Sequence, residues 1–423
     1  MFGWKILEGQ YDVNIKPVKL NRLEQEFLSK VLLAIRDSHI ENLNKALNSI
    51  IDEVALRERI LLKQDQKQKY IDIINKFYFG LGYLEDIFSL DIEEIAIIGV
   101  NKPIYIYNKN WKSVNLAIDN HEYLVDLINK IAYSSGRKIN LKNPRMNANL
   151  DNMRIHATIP PISDGEITIR LFRRTPLTIK DFIDVYSLEI LAWLSIVMQA
   201  DFNIVIAGNT GSGKTSFLNA LFHFVPLKER VIIIEDTPEI NIPHIQQVKL
   251  IENLELGISL RDLIYDTLRM RSDRTIMGEI RKPEEVKAFI DVLLSGQARG
   301  SYTTFHANSS DELVNRMIGY GVREDDIKFI DFVIIQKRIL TYKDSTLKEI
   351  RKGIEIKHLP SNTLIYKYSS KPYFNEQAIV SILSEKLWMS EQEIKDLYKN
   401  RLEIISQTID NFQEYQRRVY GLL

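Results

Sequence analysis

Apolar and polar positions follow two different periods along this chain. From 18 to 87, apolar residues recur at helical spacing among charged ones, in segments such as 20–35 and 56–79, which predicts helices. Around Glu93 the texture changes to short runs, EEIAIIGV and then PIYIYNK, followed by a polar turn at Asn108-Lys109-Asn110. These predict strands. A helix is expected over 121–135, closing at Gly136, and further strands at 154–159 and 166–172. Mixed helices and short strands indicate an α+β domain over 88–173, preceded by a helical region over 1–87.

The stretch 174–184 reads as a linker. Beyond it strands and helices alternate, the signature of a parallel sheet. Strands are predicted at 202–207, 230–234, 274–277, 301–305 and 331–336. The helices between them carry clear boundary signals. Ser259 with Asp262 forms a capping box, Pro283 followed by two glutamates opens a helix that Gly296 ends, and Ser309 with Glu312 opens another. This α/β domain runs over 185–357, and a charged, helical C-terminal segment fills 358–423.

Composition narrows the function classes. At 423 residues the chain exceeds one core. With 45% hydrophobic and 26% charged residues it reads as an ordinary globular protein. Formal net charge is zero, so no global basic field recruits nucleic acid. Cysteine is absent, which removes disulfides and thiolate metal sites. The start lacks the apolar core of a signal peptide, and the most apolar helical stretch, 188–200, is too short to span a bilayer. An intracellular protein is expected.

The chemistry begins at Gly208-Asn209-Thr210-Gly211-Ser212-Gly213-Lys214-Thr215, followed by Ser216. This is the full G-x-x-x-x-G-K-[ST] phosphate-binding pattern, and its context is right. An apolar strand leads into it, and a helix with apolar Phe217, Leu218, Leu221, Phe222 and Val225 follows, stopping before Pro226. Glycines let backbone N–H groups turn inward on a polyphosphate, and the helix N-terminus adds positive potential. Lys214 reaches the β- and γ-phosphates, and the Thr215 hydroxyl ligates Mg²⁺. The alternative, a glycine-rich turn before an ordinary helix, leaves the Lys-Thr pair unexplained. The chain is expected to bind ATP with Mg²⁺.

Other residues fall at strand ends where they would meet the ligand. Glu235 and Asp236 follow the second strand, placed to hold Mg²⁺ or to orient water; a solvated acidic turn is the other reading. Glu279 ends the third, as a carboxylate able to accept a proton from attacking water; the alternative is an exposed strand-end glutamate. His306 follows the fourth, as a phosphate contact or a packed imidazole. Upstream, Arg145, Arg154, Arg170, Arg173 and Arg174 lie close in sequence. Arginines reaching a γ-phosphate accelerate its transfer by roughly 10³–10⁵. Arg154 and Arg170, on predicted strands, are the better candidates.

This set of motifs resembles the GspE/PilT superfamily of secretion and type IV pilus ATPases. GNTGSGKT stands as its P-loop, IIEDTPEI (233–240) as its Asp box, RTIMGEIR (274–281) as its Walker B, and SGQARGSYTTFHANS (295–309) as its His box. LGYLEDIFSLDIEEIAIIG (81–99) and 145–174 resemble the family's upstream domain, so the likeness covers 81–356. The phrase SGQARGSY with TFHA, and the helical segments at both ends, look most like the archaeal branch serving pili, archaella and related secretion systems.

The resemblance implies a RecA-like P-loop core preceded by a smaller PAS-like α+β domain, with helical extensions at both ends. It implies Lys214 and Thr215 on phosphate and Mg²⁺, Glu279 as catalytic carboxylate, Glu235 and Asp236 beside metal or water, and His306 near the γ-phosphate. Arg154 and Arg170 would contact phosphate from the upstream domain. It further implies a hexameric ring, peripheral at the cytoplasmic face of the membrane. There the ring would work against a polytopic platform protein and drive pilin-like or secreted substrates. The family's usual first His-box histidine is Gln297 here, and without cysteine its tetracysteine zinc element is absent. Two other classes share the core. A nucleic-acid translocase would want a basic, aromatic-lined surface that neutral composition does not provide. A kinase would want an acceptor pocket rather than a carboxylate set for water.

Overall fold

The computed structural model describes residues 3–38, 43–108, 110–150, 153–171, 176–343 and 346–421. Lys109, Arg173 and Arg174, named above, lie outside them. The chain forms two compact units, Met1–Arg173 and Arg174–Leu423.

In the first unit β1 (Trp4–Ile6) pairs with β5 (Leu116–Ile118). A six-stranded antiparallel sheet is built from β2 (Glu94–Ile97), β3 (Ile104–Asn108), β4 (Asn110–Val114), β6 (Arg145–Leu150), β7 (Met153–Thr158) and β8 (Glu166–Leu171), in the order β4-β3-β2-β8-β7-β6. Its central strands alternate buried and less buried positions, as in β2 and most of β8. Ile95, Ile97, Ile155, Ile167 and Ile169 are fully buried on one face, each contributing about 1.5–3 kcal/mol of transfer free energy. The opposite face therefore carries Glu94, Arg154, His156, Thr168 and Arg170. Helix His121–Ala132, capped by Asn120, buries Leu124, Leu127 and Ile128 in that core. Helices Arg22–Asp37, Leu43–Arg57 and Gln64–Ile74 contribute Phe27, Val31, Ile51 and Ile74 to the same core. Helices and sheet thus share one interior.

The second unit is built on a nine-stranded sheet: β9 (Ile204–Ala207), β10 (Val231–Glu235), β11 (Gln247–Ile251), β12 (Arg274–Glu279), β13 (Gly300–Phe305), β14 (Phe332–Lys343), β15 (Thr346–His358), β16 (Thr363–Lys367) and β17 (Tyr373–Phe374). The order is β11-β10-β12-β13-β9-β14-β15-β16-β17. The first six strands in that order run parallel, and β15 to β17 are antiparallel. Parallel strands are covered on both faces, which explains their unbroken apolar runs. Ile204, Ile206, Val231 and Ile233 face one core. Val205, Ala207, Ile232 and Ile234 face the other.

The first of these cores holds helix Leu188–Gln199, nine of whose residues are buried. The C-terminal helices Glu376–Leu387, Glu391–Thr408 and Phe412–Tyr420 pack into it through Ile379, Leu383, Ile394, Ile405 and Tyr415. Tyr398 stacks on Trp193 at 4.1 Å. Among the described residues no helix is long and apolar enough to cross a membrane.

The expected strand over 331–336 runs on to Lys343 and returns as β15. Its sheet neighbour β9 ends at Ala207, so beyond that point β15 carries the pairing. The short strands β11 and β16 escape sequence detection because few of their residues are fully buried.

Because the six parallel strands point the same way, their C-terminal ends share one edge. The loop after β9, Asp236 after β10, Glu279 at the end of β12 and His306 after β13 collect there, as the geometry of open α/β sheets requires.

Candidate functional site

The loop 208–213 departs from β9 and is built by its glycines. Gly211 and Gly213 have φ of +73° and +89°, a region costly to any residue with a Cβ. At Gly208 an added Cβ would sit 1.8 Å from the Gln336 carbonyl oxygen. Helix Lys214–Leu221 starts at once, so its N-terminal dipole faces the loop. Thr215 and Ser216 lie half-buried on its first turn, whereas Thr210 and Gly211 are exposed. The Asn209 amide spends both its atoms on the Arg338 backbone, at 2.9 and 3.0 Å. These two bonds fix the Asn209 side chain against the hairpin.

Lys214 is buried and donates to the carbonyls of Gly208 and Asn209 at 3.3 and 3.5 Å. Its Nζ is 3.8 Å from Glu279 Oε1. Burial lowers the Lys214 pKa, and the Glu279 charge partly opposes the shift.

Glu279 is aimed by a bulge. Met277 pairs with Thr303 and Glu279 with Thr304, so Gly278 is the extra residue. A Cβ at Gly278 would lie 3.1 Å from Glu235 Cγ. The two Glu279 oxygens have different surroundings. Oε2 accepts from Arg281 Nε at 2.9 Å and Nη2 at 2.5 Å. Oε1 faces Lys214 and lies 2.7 Å from His306 Nε2, with no donor aligned on it. Burial pushes this carboxyl up, but the Arg281 hydrogen bond and charge, with Lys214 and His306, outweigh it and hold the carboxyl below its ordinary range. Glu279 is therefore ionised at neutral pH. Burial, and then Lys214, lower the His306 pKa against the pull of Glu279.

Arg281 also reaches Asp236 Oδ2 at 3.3 Å, tying the ends of β10 and β12 together. Glu235 behaves differently. It is 1% exposed, and its Oε1 accepts the backbone N–H groups of Glu239 and Ile240, both at 2.8 Å. Its Oε2 is buried with no partner, and burial raises its pKa to about 7. Glu235 thus shapes the 235–240 turn with one oxygen and keeps the other unspent.

The donor chemistry suits Mg²⁺. Thr215 and Asp236 are hard oxygen donors, and Mg²⁺ takes one or two carboxylates plus substrate phosphates. Among the described residues no group of three or more acidic or histidine side chains would hold a metal unaided.

Lys214, Glu279, Asp236, Glu235 and His306 come together on this edge. Arg154 and Arg170 belong to the first unit, where they are cross-strand partners on β7 and β8. Gln297 is exposed in the turn before β13, and His306 follows that strand. Six strand residues, roughly 20 Å, separate the two, so Gln297 takes no part beside His306. Sequence reading passed over Arg281, although it follows Gly-Glu-Ile directly. It also passed over Gln336, a lone amide in the apolar run of β14.

Fold and site together define a P-loop nucleotide-binding core on a largely parallel sheet. The chain belongs to the Type II/IV secretion system protein family, whose sequence model matches residues 134–415. The family resemblance read from its four motifs is thereby borne out. An uncharacterized protein of Methanocaldococcus jannaschii is 37% identical over 239 residues, covering 51% of this chain and 33% of its own length. A second uncharacterized protein of that organism is 29% identical over 275 residues, covering 62% of this chain and 49% of its own length. The chain thus spans from a third to about half of these two relatives. The type IV secretion system protein VirB11 of Bartonella quintana is 27% identical over 302 residues, 57% of this chain and 84% of that protein. Among solved structures, the Legionella pneumophila ATPase DotB aligns with TM-score 0.48 and 21% identity, over 80% of this chain and 94% of that one. The ADP-bound pilus retraction motor PilT aligns with TM-score 0.49 and 15% identity, over 81% and 98%.

Proposed function

We propose that this protein is an Mg²⁺-dependent ATPase motor, a homohexameric ring that couples hydrolysis to assembly of type IV pilus-like filaments or to protein secretion. The observation that carries the reading is Glu279 beside Lys214, its Oε2 fixed by Arg281 and its Oε1 without an aligned donor. Lys214 and the loop N–H groups bind the β- and γ-phosphates. Glu279 Oε1 accepts a proton from the attacking water. His306, at the same oxygen, hydrogen-bonds on the γ-phosphate side. Thr215 and Asp236 would hold Mg²⁺, which neutralises phosphate charge when bound. From the family resemblance we assign Arg154 and Arg170 the role of further positive charge for a γ-phosphate.

Arg281 positions the carboxylate rather than touching substrate. Arg281→Ala is expected to lower kcat about tenfold or more, since hydrogen bonds to charged groups are the stronger class. ATP affinity should stay unchanged. Phosphate release measured across an ATP titration reads both quantities.

The membership shown above, and a relative whose name places it in type IV secretion, support work in a secretion or pilus system. The archaeal relatives support placing the chain in that branch of the family. Work at the cytoplasmic face of a membrane, against a polytopic platform, follows from the same reading. Sedimentation of the full chain with an ATP analogue and Mg²⁺ should show hexamers. A monomer under every nucleotide condition would overturn the ring.

A further inference from the structure

The phosphate loop is held from outside by the β14–β15 hairpin, which leaves the plain sheet at a bulge between Ile335 and Gln336. Four successive attachments are visible. The Gln336 carbonyl lies against Gly208. The Arg338 backbone pairs with the Asn209 side chain. Arg351 Nε donates to the Gly211 carbonyl at 3.0 Å. Gln336 Nε2 donates to the Ser212 carbonyl at 2.5 Å.

We propose that this hairpin is a strut that sets the geometry of the phosphate loop, with Gln336 and Arg351 as positioning residues for nucleotide. In a trans peptide the C=O and the following N–H point in opposite directions. Holding the Ser212 carbonyl outward therefore aims the Gly213 N–H to the inner side. Holding the Gly211 carbonyl turns the Ser212 N–H into the bend, where it donates to the Asn209 carbonyl at 3.2 Å and closes the turn. Inward N–H groups such as that of Gly213 are what a polyphosphate binds. The donors on the outer side thus fix the phosphate site without touching phosphate.

Gln336 is itself fixed. It is fully buried, and the Tyr186 hydroxyl donates to its Oε1 at 3.0 Å, which leaves Nε2 facing Ser212. The Tyr186 ring stacks on Phe217 of the loop's own helix at 4.3 Å. On β15, a Cβ at Gly353 would lie 2.0 Å from that ring. Tyr186 is thus pinned between helix and hairpin. Glu349, 3.5 Å from Arg338 and 3.9 Å from Arg351, balances the charge of the two arginines.

The strut rests on the phosphate-loop reading, and the experiment separates the two. Dissociation of ADP carrying a fluorescent ribose label is followed in wild type, Arg351→Ala and Gln336→Met, beside KM and kcat for ATP. Arg351 is half-exposed, so its variant keeps the proposal testable should Gln336→Met fold poorly. Each variant is expected to speed ADP release and raise KM about fivefold, the effect of one lost hydrogen bond. kcat should change little, and Arg351→Lys should recover part of the loss. Unchanged release and KM in both variants, or a fall in kcat alone, would overturn the strut. Failure of wild type to bind labelled ADP would instead overturn the phosphate-loop reading beneath it.

Discussion

Arg154→Ala and Arg170→Ala are each expected to lower ATP hydrolysis by about 10³-fold or more, the scale of arginines that stabilise a transferring phosphoryl group. Nucleotide should still bind, because Lys214 and its loop belong to the second unit. The structure supplies a second readout. Arg154 and Arg170 stand directly opposite each other on β7 and β8, and like charges in that position destabilise a sheet. Glu94, opposite Arg170 on β2, offsets part of that repulsion. Removing either arginine should leave thermal stability unchanged or slightly raised. Lost turnover with retained stability is what a phosphate contact predicts. Lost stability would mark them as fold residues, and normal turnover would remove them from the site.

Glu279→Gln is expected to lower kcat by about 10²–10⁴-fold, the contribution of a positioned general base. The amide has the same shape and cannot accept the proton. ATP affinity should hold or rise. Lys214 loses a carboxylate charge at 3.8 Å and is freer to meet phosphate charge. Phosphate release together with equilibrium ATP binding checks both halves. Turnover at the wild-type rate would strip Glu279 of its assigned role.

The legible parts of this molecule were local. The phosphate loop, the caps at Ser259 and Ser309 and the apolar strands of the parallel sheet are each written in a few adjacent residues. Parallel-sheet geometry then places Glu279 and His306 beside Lys214 without further information. Arg281 is different: it is two positions from Glu279, but their contact follows the Gly278 bulge, and its second partner Asp236 is 45 positions away. Gln336 is further still, since its partner carbonyl at Ser212 lies 124 positions upstream. The bulge at Gly278 sets where Glu279 points, and the extra residue Ile354 on β15 shifts the strand facing Gln336; a one-residue shift of register leaves no trace in an apolar pattern. Composition also cannot tell whether two textures share a core. The helices before Phe88 and the strands after it differ in period, yet Phe27, Ile74, Ile95 and Ile169 meet in one interior.

The central claim is that Glu279 directs water, and no other acceptor, at the γ-phosphate. Turnover of ATP by the full chain in water enriched in heavy oxygen, with Mg²⁺ and no added acceptor, tests it most directly. The account predicts that the released phosphate carries an oxygen from solvent, and that Glu279→Gln loses this labelled product while still binding ATP. Phosphate left on the protein, or labelled product formed equally well by Glu279→Gln, would contradict it.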